Sequence, residues 1–333
     1  MVSEAFTDTL KVIQEGENRS VWIEIRDRGE RALGAAQDQQ IIVSEDDPSL
    51  GLRRHGRAAH RRQAYPGGSA CARSRGLCFV PMSDALLRVF GWFALLIHGD
   101  TCVLDRWIWL RRHLRAGRVR TFDAGCGNGA FSVYAARVGN EVVAASFAAA
   151  EQEAARRRAQ LVGVSDIDFR IIDLRELDAH HEELGQFDQI ICFETIEHVR
   201  ADRELVRSLA RLLTPGGRLL LTAPFDGHRP LYSEERFPSD LEDGSHVRYG
   251  YSREQLRELA RDADLEVVEE GFVTGVVSQK VTDLMRRLTV RFGLAPGWLA
   301  VLPLRALVLL DAPLTRFLRY PYLSVTLVGV KPA

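Results

Sequence analysis

Val119-Arg-Thr-Phe-Asp-Ala-Gly-Cys-Gly-Asn-Gly-Ala-Phe131 is the stretch on which the fold turns. Thr121 and Phe122 read as the end of a short buried strand closed by Asp123. Gly125, Gly127 and Gly129 then follow at every second position, and from Ala130 to Val138 the chain is apolar, alanine-rich and helical in character. Strand, glycine turn and helix in this order bring bare backbone and a helix N-terminus against a ligand. A side chain at any of the three glycines would hold that ligand away. The stretch therefore predicts a site for a nucleotide-like cofactor. Gly125-x-Gly127-x-x-Ala130 also satisfies the dinucleotide pattern, which keeps a nicotinamide-dependent oxidoreductase as an alternative.

The acid two positions before the first glycine separates the two readings. Asp123-x-Gly125-x-Gly127-x-Gly129 resembles the first motif of class I S-adenosylmethionine (SAM) methyltransferases. Three more pieces follow in the family's order. Asp166-Ile-Asp-Phe-Arg-Ile-Ile-Asp173 reads as a strand ending in an acid, and Ile190–Phe193 as a buried strand trailed by Glu194-Thr-Ile-Glu-His-Val199. Leu213-Thr-Pro-Gly-Gly-Arg218 is then a turn into another strand. The resemblance covers about residues 84–331. It implies a Rossmann-like α/β fold, a seven-stranded sheet of order 3-2-1-4-5-7-6 with helices on both faces.

The same resemblance distributes the cofactor. Asp123, Gly125, Gly127 and Gly129 surround the methionine part of SAM; Asp173 and the Leu174 amide meet the adenine; Phe193 and Glu194 complete the set. One position departs from the family. The strand Glu141–Ala145 should be followed by an acid that accepts from both ribose hydroxyls, and the usual spacing from Asp123 lands on Ser146. Serine offers one uncharged acceptor and no bidentate grip. Phe147 beside it is placed to pack on adenine. The departure also motivates a second alternative, a catalytically inactive SAM-fold binding protein.

Outside this domain the chain is less informative. With 44 basic and 45 acidic residues it carries no global bias towards nucleic acid. Five cysteines in no scaffold spacing suit a reducing, cytoplasmic setting, and the N-terminus lacks the build of a signal peptide. Residues 1–82 read as an N-terminal extension, largely disordered, with β-like runs at Val21–Ile25 and Ile41–Val43. From Pro48 to Ser83 it has seven arginines and no acid. Residues 83–333 read as the methyltransferase domain, opening with two helices whose Trp92, Trp107 and Trp109 are expected in the core. Residues 281–320 read as a helical insertion. Its run Trp298–Leu310 is apolar, but thirteen residues broken by Pro303 and Arg305 are too short for a bilayer. That leaves a substrate lid, or a surface for lipid or a second subunit.

The expected reaction is methyl transfer from SAM to a small-molecule acceptor, such as a hydroxyl of a quinone-like, lipid-like or secondary-metabolite substrate. A hydroxyl acceptor needs a base, and His198 and His246 are the candidates because imidazole titrates near neutrality. Glu194-x-x-Glu197-His198 with the later His246 is also similar to the metal-binding pattern of ubiquinone-pathway O-methyltransferases and of small-RNA 3′-end methyltransferases. That likeness implies a divalent metal on Glu194, Glu197, His198 and His246.

Overall fold

Val142–Ala145, Ile190–Phe193 and Leu219–Leu221 are unbroken apolar runs, as strands covered on both faces require. In the computed structural model, which describes residues 12–13, 22–23, 82–98, 100–231, 238–242 and 244–333, each lies in the middle of one sheet. Its strands are β1 (Arg120–Ala124), β2 (Glu141–Ser146), β3 (Ile167–Ile171), β4 (Phe187–Phe193), β5 (Leu213–Pro224), β6 (Glu266–Val273) and β7 (Ser324–Val330). The spatial order is β3-β2-β1-β4-β5-β7-β6. The first five run parallel, and β7 is antiparallel to both β5 and β6. This is the seven-stranded arrangement expected from the sequence.

Alternation along the strands fills two layers. Ile190 and Cys192 of β4 face one core with Phe122, Leu219 and Leu221. That layer is closed by α6 (His181–Leu184), α7 (Asp202–Arg211) and α8 (Arg253–Asp262), the last started by a reciprocal capping box between Ser252 and Gln255. Ile191 and Phe193 face the other core with Val142, Ala144 and Leu220. Over it lie α1 (Met82–Phe90), α2 (Ala94–His98), α3 (Thr101–His113), α4 (Ala130–Arg137) and α5 (Ala149–Leu161). The three tryptophans belong to this layer. Trp109 is buried against Phe193, and Trp92 and Trp107 pack around Tyr134.

The helical excursion begins at Val276, earlier than the sequence suggests. It comprises α9 (Val276–Phe292), α10 (Leu294–Val301), a 3₁₀ segment (Leu302–Leu310) and α11 (Asp311–Leu318). Two side chains fix it. Asp311 accepts from the backbone amides of Gly275, Val277 and Ser278 at 2.5, 2.6 and 3.3 Å, capping α9 from α11. The fully buried Trp298 indole donates to the Ile97 carbonyl at 2.8 Å, tying α10 to α2. Pro296–Leu318 is 23 residues long and reaches a mean hydropathy of 1.5 over an 18-residue window, long and apolar enough to cross a membrane by those criteria. It is nevertheless broken into three pieces, with Val301, Val308 and Thr315 turned into the protein.

The chain divides into two compact units, Met1–Arg73 and Ser74–Ala333. In the first, Val12–Ile13 pairs antiparallel with Trp22–Ile23, so the run at Val21–Ile25 is strand in part. The run at Ile41–Val43 and residues 48–81 of the arginine-rich stretch lie outside the described residues.

Candidate active site

At the C-terminal edge of β1 the chain leaves the sheet through three left-handed glycines, with φ of 87° at Gly125, 49° at Gly127 and 79° at Gly129. Backbone bonds from Gly125 and Cys126 to the Ala145 carbonyl, at 3.0 and 2.9 Å, hold the loop against β2. Asn128 then accepts from the Ala130 amide at 3.0 Å and donates to the Leu95 carbonyl at 3.4 Å, docking α2 on the loop. The glycines do different jobs. A Cβ at Gly125 would sit 2.4 Å from Thr195 Oγ1, and one at Gly129 would sit 3.1 Å from the Ala155 Cβ. A Cβ at Gly127 meets no atom within 4 Å among the described residues. Two glycines are thus demanded by the protein's own packing, and the third borders open space of the kind a ligand fills.

Asp123 lies under this loop, 2% exposed, and accepts from the Ser132 hydroxyl at 2.5 Å. Burial pushes its carboxyl up to about 6, against the opposing pull of that hydrogen bond. At the end of β2, Ser146 is buried and donates to Glu151 Oε2 at 3.1 Å. A carboxylate from the first turn of α5, five residues later in the chain, thus stands beside position 146. Phe147 is 57% exposed, leaving its ring open for stacking. The other expected contacts are more committed to the protein. Asp173 is gripped by the Arg175 guanidinium at 2.5–3.0 Å, which lowers its pKa, and it caps the short helix after β3 by accepting from the Arg175 amide. Leu174 and Phe193 are buried in the two cores, with Phe193 against Trp109 and Phe131.

The second half of the site hangs from the end of β4. Glu194 adopts φ 49°, which turns its side chain to Arg106 at 2.8 Å, Thr222 at 2.9 Å and Ser324 at 3.1 Å. The single 3₁₀ turn Ile196–His198 follows. Glu197 is completely buried, and neither carboxylate oxygen has a hydrogen-bond partner among the described residues. Burial first, then the Glu194 charge, raise its pKa well above the carboxylate range, with its own backbone and Arg106 offsetting only part. The His198 Nδ1 contacts the Ser245 carbonyl at 3.1 Å, which assigns the proton to that nitrogen and leaves the Nε2 lone pair 3.7 Å from Glu197 Oε1. His246 packs its ring across His198 at 4.6 Å. Its loop is pinned by the Val247 amide on the Glu197 carbonyl and the Ser239 amide on the His246 carbonyl, at 2.9 and 2.7 Å.

Glu197, His198 and His246 each bring a ligand atom within 4.8 Å of the other two. Glu194, the fourth residue of the expected metal set, does not join this group, because Arg106 and two hydroxyls have taken its carboxylate. All four border one cavity of about 440 Å³, closed further by Arg106 from α3 and Arg286 from α9. Arg106, Glu151 and Arg286 were not anticipated. A charged Asp105-Arg106 pair inside an otherwise apolar helical run was the available signal for the first. Thr195 lies against Gly125 and donates to the Ala124 carbonyl at 3.3 Å, so the glycine cradle and the histidine cavity adjoin.

A mixed, mainly parallel sheet of this order, with a glycine cradle after β1 and a polar cavity after β4, defines a class I methyltransferase fold. Sequence comparison agrees: the methyltransferase domain family matches residues 83–270, and the chain belongs to that family. The cofactor this implies is SAM. Among similar proteins, a ubiquinone biosynthesis O-methyltransferase from Xanthomonas axonopodis pv. citri is 37% identical over 109 residues, covering 33% of this chain and 44% of the relative. The match thus spans less than half of that relative's length. The solved structure of the [4+2]-cyclase SpnF superimposes with a TM-score of 0.48 at 23% identity, over 69% of this chain and 82% of the other. Magnesium protoporphyrin IX methyltransferase from Synechocystis PCC 6803 gives a TM-score of 0.42 at 16% identity, over 78% and 100%.

Proposed function

We propose that this protein methylates a ring hydroxyl of a small quinone-like acceptor, with SAM on the glycine cradle and the acceptor in the adjoining cavity. The open space over Gly127 and the acids Asp123 and Glu151 fit SAM, whose methionine ammonium and ribose hydroxyls call for carboxylate partners. Bound there, SAM supplies a methyl group activated on a sulfonium. The residues around it must align acceptor and methyl and keep water out. The X. axonopodis relative, named for O-methylation in ubiquinone biosynthesis, supports a ring hydroxyl as the acceptor.

One observation carries the proposal: Glu197 is fully buried with neither carboxylate oxygen hydrogen-bonded among the described residues, and it brings one ligand atom within 4.8 Å of ring nitrogens of His198 and His246. A carboxylate and an imidazole lone pair facing each other demand a cation or a proton between them. Glu197, His198 and His246 would hold a divalent ion, whose chemistry is to acidify and orient a hydroxyl. An oxygen and two imidazoles suit magnesium, manganese or zinc without choosing among them. With the ion bound, the His198 Nε2 lone pair would be its ligand; without it, His198, oriented by Ser245, can take the hydroxyl proton at Nε2. Burial opposes the Arg106 charge, but Glu194 and the other acidic groups around it together outweigh that burial, so it stays cationic and can face the phenolate that forms.

The test is methyl transfer from labelled SAM to a prenylated catechol. Turnover should vanish in chelator, return with added divalent ion, and lose its metal response in His246→Ala. Full turnover of a metal-free preparation in chelator would remove the ion and leave His198 and His246 as the bases. Absence of label on any catechol, in protein that binds SAM, would overturn the acceptor class.

A further inference from the structure

Exposed large apolar side chains are not spread evenly over this molecule. Among the described residues most fall between 284 and 318, on the outer side of α9, the 3₁₀ segment and α11. Leu309 is 78% exposed, Phe317 83% and Val290 70%, with Phe292, Leu299 and Leu310 each above half. The arrangement is amphipathic. On α9, Val281 and Met285 point inward to Trp298 and Val301, whereas Leu284, Arg287 and Val290 recur outward at helical spacing. On α11, Asp311 and Thr315 are buried one turn apart, and Leu314, Phe317 and Leu318 face out. A monomer does not normally present so concentrated an apolar surface.

The exposed charges within it have one sign. Residues 276–320 contain six arginines and two acids: Asp283 is mostly buried and pairs with Lys280, Asp311 is buried and spent on the N-terminus of α9, and of the arginines Arg286 is held by Asp100 and Arg305 is buried. Arg287, Arg291, Arg316 and Arg319 are exposed beside the apolar side chains. This is local, because the whole chain is balanced at a net charge of −1. An apolar face edged only by arginine complements one kind of surface well, the acyl and phosphate boundary of an anionic membrane. A second copy of the chain is a poorer fit, since a two-fold contact would set arginines against arginines with no exposed acid in the segment to pair them.

We infer that α9–α11 is a docking face for anionic phospholipid, on which the protein rests without spanning the bilayer. The apolar side chains enter the headgroup boundary and the arginines contact phosphate. α9 also contributes Arg286 to the wall of the cavity, so the helix on the membrane borders the acceptor. That consequence rests on the proposed quinone-like acceptor; the docking itself does not.

The experiment is co-sedimentation of the full chain with phosphatidylcholine vesicles, with and without phosphatidylglycerol. Wild type should sediment with the anionic vesicles, less with neutral ones, and less as salt rises. Leu309→Glu with Phe317→Glu should lower partitioning at least about tenfold, because two apolar side chains no longer insert. Arg316→Glu with Arg319→Glu should abolish the preference for anionic lipid. Both pairs are exposed, and an unchanged melting curve verifies their fold. No vesicle binding by wild type would overturn the inference. So would equal binding by all three proteins, which would assign it to the arginine-rich stretch 48–83. A dimer that Leu309→Glu with Phe317→Glu converts to monomer, without vesicle binding, would show that a second copy covers the face. None of these readouts depends on methyl transfer, so failure here leaves the catalytic proposal standing.

Discussion

Gly127 differs from its neighbours in what its missing side chain makes room for. Thr195 and Ala155 explain Gly125 and Gly129; at Gly127 a Cβ would meet no described atom within 4 Å, and the proposed SAM would occupy that space. Gly127→Val should therefore abolish SAM binding by calorimetry while the far-ultraviolet spectrum stays native, the positive φ costing about 1–3 kcal/mol. Unchanged affinity in a folded variant would place the cofactor elsewhere. Glu151 is the counterpart at the ribose. Its bond to Ser146 restores a carboxylate to the end of β2, and Glu151→Gln should weaken SAM by about tenfold or more, the worth of a charge-assisted hydrogen bond. Asp123 adds a pH dependence. Its carboxyl is held at about 6 in the free protein, and a cationic ligand favours the ionised form. Binding then releases a proton below that pH. Affinity should be level from pH 7 upwards to the amine's own titration and about tenfold weaker at pH 5. Asp123→Asn should flatten the profile, and a wild-type profile already flat would mean that Asp123 does not sense the cofactor.

The elements that sequence revealed are those whose chemistry is local. A glycine loop announces itself because positive φ and close approach are properties of single residues, and apolar runs announce buried strands. The order of the sheet followed from the resemblance those pieces carry. Asp173 was placed correctly at a strand end, yet its carboxylate belongs to Arg175, two residues along and visible in the sequence as Asp-x-Arg. For Arg106, Glu151 and Asp311 the partners were not legible, for a different reason. Each acquires its role from a partner on another element, Glu194, Ser146 and the start of α9 respectively, and no periodicity encodes such meetings. Asp311 makes the clearest element-scale prediction. Gly275 offers no side-chain cap, so α9 depends on a carboxylate delivered from α11. Asp311→Ala should strand buried amide donors and destabilise the protein by about 1–3 kcal/mol in urea unfolding. An effect below about 0.5 kcal/mol would show that α9 holds its first turn without this contact.

For the molecule as a whole, the question is how much chain the chemistry needs. Every strand of the large sheet, the glycine cradle, the histidine cavity and the α9–α11 face lie within Ser74–Ala333, and the methyltransferase-domain match begins at residue 83. A unit of this size buries enough apolar surface to fold alone. Among the described residues, both faces of β4 are covered by helices of the same unit. Removal of residues 1–73 should then leave a soluble protein with native helix and strand content. Its SAM dissociation constant should stay within about twofold of the full chain, because no cofactor contact named above precedes Asp123. Calorimetry and a melting curve on both proteins decide it. An insoluble product would show that the first unit completes the fold. A soluble but SAM-blind product would show that it completes the cofactor site, and residues 1–73 would then have to be read as part of the enzyme.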